Sequence, residues 1–226
     1  MDRIDAHLLN PLARVVAADP VVVPATPYGE LPESVRVART RELVRTRSTD
    51  SERWSDPRNL ACGSAISRMV AAARFIPSGC RVLDLGAGTE ALRACLAPDC
   101  QYAAVDLVSR GPGTIVADLN AGDFPAGRFD VVVALAVLEY IHDVGALLRR
   151  AAAAAPLAVV SYCAQHERSG NGERFGWCNA MTFVDFLDVV HGAGWTIARA
   201  EVLHGEPSFT QWLFALRPTR SGPSRP

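Results

Sequence analysis

Residues 81–92, RVLDLGAGTEAL, constrain the fold of this chain more than any other stretch. Val82, Leu83 and Leu85 form a short apolar run of the kind a parallel sheet buries on both faces, and Gly86 and Gly88 then turn the chain. Two glycines suit a turn that needs positive φ and a ligand that lies against bare backbone. Thr89 is placed to cap a helix over residues 90–96, whose first N–H groups would face the turn. This order predicts an α/β fold with a nucleotide-sized docking edge.

Three later segments follow at compatible spacing. Residues 102–107 read as an apolar strand ending in Asp106, twenty residues past Gly86, where nucleotide-binding α/β folds place a ribose-binding acid. Residues 115–119 read as another strand, with Asp118 near its end, and residues 129–135 (FDVVVAL) as a third, leading into AVLEYIHD. Taken together, VLDLGAG, AAVDL, VADLN and FDVVVALAVLEYIHD resemble the ordered motifs of class I S-adenosylmethionine-dependent methyltransferases, over roughly residues 55–217.

The resemblance implies an α/β, Rossmann-like, seven-stranded and mostly parallel sheet with an antiparallel C-terminal hairpin strand. It implies S-adenosyl-L-methionine as cofactor. Gly86, Ala87 and Gly88 would admit the methionine and ribose portions, and Asp84 would order the turn and the amino end. Asp106 with Leu107 would meet the ribose, Asp118 with Leu119 the adenine, and Leu135 and Ala136 would back the cofactor. Asp106 and Asp118 can also be read as strand-end residues capping loop N–H groups, and the coincidence of both favours binding.

Composition narrows the chemistry. The net charge of −1 supplies no basic field for nucleic acid. Every one of the 23 Lys+Arg positions is arginine, which excludes lysine Schiff bases and a lysine-bearing phosphate loop. The six cysteines include no CxxC pair and match no compact metal site, and the N-terminus is not of signal type; reduced thiols in a cytoplasmic protein are expected. No apolar run approaches a membrane span.

Along the chain, the proline-rich residues 1–30 read as irregular, and a helix with a basic polar face is expected over 32–47, followed by a polar junction at 48–57. Residues 1–54 thus form an N-terminal extension, a lid or an interface, before a methyltransferase domain at 55–217 and a loose tail at 218–226. A helix over 59–75 precedes the first strand, one over 143–154 follows the fourth, and 157–163 form the fifth. Residues 164–180 are a long loop, Thr182 and Asp185 make a capping box, and 196–203 with 210–217 form the closing hairpin.

Two features depart from the family. The crossover between the second and third strands, 108–114, is too short for a helix, because parallel crossovers normally take about a dozen residues or more. The segment 32–47, or a partner subunit in a homodimer, is expected to cover the sheet face this leaves open. Glu90 stands where the family often has a third glycine, and it is expected to point to solvent from the first helical turn.

Acceptor groups should lie beyond the fourth and fifth strands. Glu139, Tyr140, Trp177 and Asn179 are candidates for acceptor binding, and His142, Tyr162 and His166 for catalysis, with His142 foremost because it titrates near neutrality. The expected activity is O- or N-methylation of a small molecule such as a sugar or specialised metabolite, with no nucleic-acid, membrane or metal partner. Gly86-x-Gly88-x-x-Ala91 with Asp106 also fits a dinucleotide fingerprint, so a nicotinamide-dependent oxidoreductase stays open, as does a non-catalytic binding or scaffolding subunit.

Overall fold

The computed structural model describes residues 26–60, 65–167 and 171–219. Seven strands form one sheet: β1 Arg81–Leu85, β2 Gln101–Asp106, β3 Ile115–Val116, β4 Val131–Ala134, β5 Ala158–Gln165, β6 Trp195–Glu206 and β7 Phe209–Pro218. Their order is β3-β2-β1-β4-β5-β7-β6, parallel except for β7, which runs antiparallel to β5 and β6. The mostly parallel, Rossmann-like sheet with its antiparallel hairpin strand is therefore the one expected. The α-helices are α1 Glu33–Thr46, α2 Ser51–Ser55, α3 Ala65–Ala73, α4 Val144–Ala154 and α5 Phe183–Gly192. The expectations for residues 1–25, for Cys62 and for residues 220–226 lie outside the described residues.

Alternation along β1 divides the core. Leu83 and Leu85 point to the face packed by Leu147 and Leu148 of α4 and by Phe186 and Val190 of α5. Val82 points to the other face, with Val131, Val133, Leu92 and the Ala71–Ala72 pair of α3. Because both faces are covered, the strands read as continuous apolar runs. Local signals start the flanking helices: Asp143 accepts a hydrogen bond from the Ala146 N–H, and Thr182 with Asp185 forms the capping box at α5.

Several elements are shorter than the sequence suggests. The helix after the glycine turn is a five-residue 3-10 segment, Ala91–Cys95, entered through Glu90 in the left-handed region at φ 56°, with Glu90 rather than Thr89 at the N-cap and no side-chain cap among the described residues. The helix expected over 59–75 is a 3-10 turn at Pro57–Leu60 and then α3, with residues 61–64 outside the described residues. The strand expected at 115–119 ends at Val116, because the Asp118 side chain takes the Asn120 N–H at 2.9 Å and turns the chain. Within the junction 48–57, Asp50 accepts from the Arg53 N–H and starts α2.

Residues 107–114 join β2 to β3 without a helix. The helix α1 does not cover the face this opens. It packs instead on the 3-10 turn Asn171–Phe175, where the Thr40 hydroxyl donates to the Glu173 carbonyl at 2.9 Å. Tyr102 of β2 roofs the gap: its hydroxyl donates to Asp84 Oδ2 at 2.6 Å, and the Arg93 guanidinium lies 4.8 Å from its ring centroid. Val116, on the same face by register, stays 59% exposed, so the cover ends at β3.

Candidate active site

A cavity of about 660 Å³ opens at the C-terminal ends of β1, β2, β4 and β5, the crevice at the sheet's switch point. Its geometry begins with the glycine turn. The N–H groups of Gly86 and Ala87 both donate to the Val105 carbonyl at 2.9 Å, and the Gly88 N–H donates to Asp106 Oδ2 at 2.8 Å. Gly86 has φ +70°, and a Cβ there would lie 2.7 Å from Val137 Cγ2. Val137 is brought so close because Ala136 turns the chain after β4 in the left-handed region, φ 54°, with its N–H held on Ser161 Oγ at 2.8 Å.

Of the residues expected to hold the cofactor, Gly86, Ala87, Gly88, Asp106, Leu107, Asp118, Leu119, Leu135 and Ala136 line this cavity, and Asp84 does not. The two strand-end acids also cap loops. Asp106 pairs with Arg110 at 3.3 Å, and Asp118 Oδ1 accepts from Thr49 Oγ1 at 2.7 Å as well as from Asn120. Asp84 lies buried behind the turn on the Tyr102 hydroxyl. Burial pushes its carboxyl up to about 7 against that hydrogen bond, and the charges of Asp106 and Glu90 push the same way. Glu90 is not simply solvated, as expected from sequence; it accepts from Thr114 Oγ1 at 3.2 Å and from Arg93 at 2.8 Å, clasping the short crossover.

The opposite wall comes from the N-terminal segment and the long loop. The Arg53 guanidinium lies 3.8 Å from the Tyr28 ring centroid, 4.3 Å from that of Trp54 and 5.0 Å from that of Tyr140, and Nη1 donates to the Phe175 carbonyl at 2.9 Å. Gly176, at φ +83°, leaves the space that Arg53 and the Tyr28 hydroxyl fill. Arg110 reaches from the crossover to the Trp54 carbonyl, so the helix-free link closes onto α2.

Glu139, Tyr140 and Trp177, expected on the acceptor side, line the cavity; Asn179 does not, because its Nδ2 is spent on the Leu138 and Ile141 carbonyls at 2.8 and 2.9 Å. The three residues considered for catalysis also lie off the cavity wall. His142 Nε2 is 3.0 Å from the Ser48 carbonyl. Tyr162 points to the α5 face, stacked on Phe186 at 4.7 Å, with its hydroxyl donating to Asn179 Oδ1 at 2.5 Å and its ionisation pushed up by burial. The His166 ring is held between the Pro207 carbonyl and Thr210 Oγ1 at 3.1 and 3.0 Å.

Cavity residues not singled out from sequence include Arg53, Arg68, Arg110, Phe175, Phe209 and Gln211. The hairpin strands run longer than expected, to Glu206 and from Phe209, and β7 brings Phe209 and Gln211, two residues apart, to the cavity. The one visible signal was Trp54, a lone aromatic in a polar run. Glu139 is 1% exposed; its Oε1 accepts from the Cys163 N–H at 2.8 Å, whereas Oε2 has no partner among the described residues. Burial raises its proton affinity, which the hydrogen bonds from Cys163 and the charge of Arg68 oppose.

The fold is that of the class I S-adenosylmethionine-dependent methyltransferases. A family model for a methyltransferase domain matches residues 51–199, and the chain belongs to that family. Among solved structures, a mitomycin 7-O-methyltransferase superposes with a TM-score of 0.60 at 18% identity, covering 84% of this chain and 70% of that one. An O-methyltransferase from neocarzinostatin biosynthesis, solved with S-adenosyl-L-homocysteine and 1,4-dihydroxy-2-naphthoic acid, gives 0.59 at 18% identity, covering 84% and 69%. A (4+2)-cyclase gives 0.55 at 14% identity, covering 87% and 98%. No curated protein matches the chain.

Proposed function

We propose that the chain uses S-adenosylmethionine to methylate an oxygen or nitrogen of a small-molecule acceptor bound between the sheet edge and the N-terminal segment. The observation that carries this reading is the charge around the glycine turn. A dinucleotide pyrophosphate is normally met by the positive end of a helix. Here the turn leads through Glu90 into a five-residue 3-10 segment, and the acid beside the turn that lines the cavity is Asp106, which holds the Gly88 N–H, while Asp84 and Glu90 stand off the cavity wall. That surround suits a cationic ligand. The neighbouring O-methyltransferases, one of them holding a dihydroxynaphthoic acid, support a small acceptor with an aromatic ring.

The cofactor supplies an activated methyl on a sulfonium, and the protein's own residues do the rest. Gly86 and Gly88 let a ligand approach the backbone, and Asp106 and Asp118 offer carboxylate oxygens at the adjoining strand ends. Holding two reactants in register is worth up to about 7–11 kcal/mol.

Calorimetry on the intact chain tests the reading. S-adenosylhomocysteine is expected to bind and NAD not to bind. Asp106→Ala should weaken S-adenosylhomocysteine by at least about tenfold, since charge-assisted hydrogen bonds contribute about 1.5–3 kcal/mol. Binding of NAD alone would return the chain to the oxidoreductase reading. Tight S-adenosylhomocysteine binding with no methylated product from any acceptor would favour a binding or scaffolding subunit.

A further inference from the structure

Where β4 and β5 open into the cavity, Glu139 on the turn after β4, Arg68 of α3 and Gln211 of β7 come together around Cys163. The Cys163 N–H holds Glu139 Oε1 at 2.8 Å, Gln211 Nε2 lies 3.5 Å from Cys163 Sγ, and Arg68 Nη1 lies 3.5 Å from Gln211 Oε1. All four residues line the cavity. Glu139 is 1% exposed and Arg68 6%, yet Glu139 Oε2 and Arg68 Nε have no hydrogen-bond partner among the described residues. A buried acceptor and a buried donor left unsatisfied in one site are costly unless something else completes them.

A hydroxyl group can donate to a carboxylate oxygen and can accept from a guanidinium N–H, so it suits both orphaned atoms. Beside these residues the cavity wall is aromatic. Phe175 and Trp177 lie 4.9 Å apart, and Trp177 and Phe209 lie 5.1 Å apart in an edge-on arrangement, surfaces against which a flat ring packs.

We propose that Glu139 and Arg68 form the subsite for an aromatic hydroxyl of the acceptor, and that Glu139 Oε2 accepts its hydrogen bond and then its proton. This rests on the methyltransferase reading and narrows its acceptor to a phenol or naphthol. In the proton step the acceptor O–H bond breaks, its electron pair stays on the oxygen, and the proton forms an O–H bond on Oε2. Arg68 faces the oxygen that becomes negative. Burial, which raises the proton affinity of the Glu139 carboxylate, makes it a stronger base than an exposed one.

The test uses the intact chain saturated with S-adenosylhomocysteine and titrated calorimetrically with 2-naphthol, 2-methoxynaphthalene and naphthalene. 2-Naphthol is expected to bind at least about tenfold more tightly than its methyl ether, as one hydrogen bond to a charged group implies. Glu139→Gln keeps the side-chain shape and an oxygen for the Cys163 N–H; it should close that gap to within about threefold while S-adenosylhomocysteine still binds. Arg68→Met should narrow it likewise, and serves if Glu139→Gln does not fold. With S-adenosylmethionine, formation of 2-methoxynaphthalene should fall by about a hundredfold or more in Glu139→Gln. Equal affinities for naphthol and ether, no naphthol binding, or a gap that survives both variants overturns the subsite. Turnover that is absent from the wild type, or undiminished in Glu139→Gln, overturns the proton step. Loss of S-adenosylhomocysteine binding by the wild type would instead remove the methyltransferase reading itself.

Discussion

Asp84 is a carboxyl buried to 4% exposure whose proton is held up to about pH 7 by burial, against an ordinary value of 3.8. Between those values the folded state binds more protons than the unfolded state, so this group's contribution to stability is fully present below about pH 4 and is lost as pH rises to about 7. Asp84→Asn stays neutral throughout and can still accept the Tyr102 hydroxyl. Its stability relative to wild type should therefore rise from pH 5 to pH 8, with a ceiling on the order of 4 kcal/mol for the whole titration. Denaturant melts at several pH values would show it, and a constant difference between the two proteins would refute the assignment. Single residues were also where sequence reading was weakest for the acceptor side. Tyr162 and Cys163 are neighbours on β5, but strand alternation sends the tyrosine to the α5 face and brings the cysteine to the cavity. No motif reports that parity. The glycine turn was legible because its requirements are local: positive φ, and no room for a Cβ beside Val137.

Elements with local start signals were read well. The Thr182–Asp185 box and the Asp143 cap depend on atoms within one turn, and both helices begin where those residues stand. The helix after Gly88 failed because Glu90 takes a left-handed conformation to reach Thr114, a contact made across the crossover and invisible to propensity. The destination of α1 was likewise set at long range, by Thr40 on Glu173 and Arg41 on the Glu173 carboxylate at 2.9 Å. Arg53 is the joint of that assembly, stacked on three rings and bonded to the Phe175 carbonyl. Arg53→Met removes a charged hydrogen bond of about 1.5–3 kcal/mol and cation–π contacts of about 0.5–2 kcal/mol. Hydrogen exchange should then speed up in residues 26–60 and 171–177 while β1, β4 and β5 keep their protection. Uniform loosening of the sheet, or no change in either region, would show that Arg53 is not the joint.

At the scale of the whole molecule, the chain divides by what each part buries. The buried members of both apolar clusters come from residues 71–216, on the two faces of the sheet. The N-terminal helix α1, by contrast, buries only Thr40, and its long-range hydrogen bonds and ion pairs reach the loop that also walls the cavity, at Glu173, and the junction, at Asp50 and Glu52. We therefore propose that the extension is a lid: it adds little to the folding of the sheet and much to the enclosure of the ligand. Removing residues 1–60 should leave a cooperative unfolding transition, lowered by a few degrees for each 1 kcal/mol of lost lid contacts, roughly 2–4 °C in a domain of this size. S-adenosylhomocysteine should bind at least about tenfold more weakly, because Thr49, Trp54 and Leu60 are taken from the cavity wall together with Arg53. Its stabilising effect at a fixed concentration should shrink accordingly, from about 2.7 kcal/mol at a hundred times the dissociation constant to about 1.4 kcal/mol when that ratio falls to ten. Thermal melts of both proteins with and without the ligand measure all three quantities. An unchanged ligand affinity would mean that the extension covers the cavity without enclosing it. A shortened chain that does not fold would mean that the polar contacts of α1 belong to the folding unit, and the division into sheet and lid would fail.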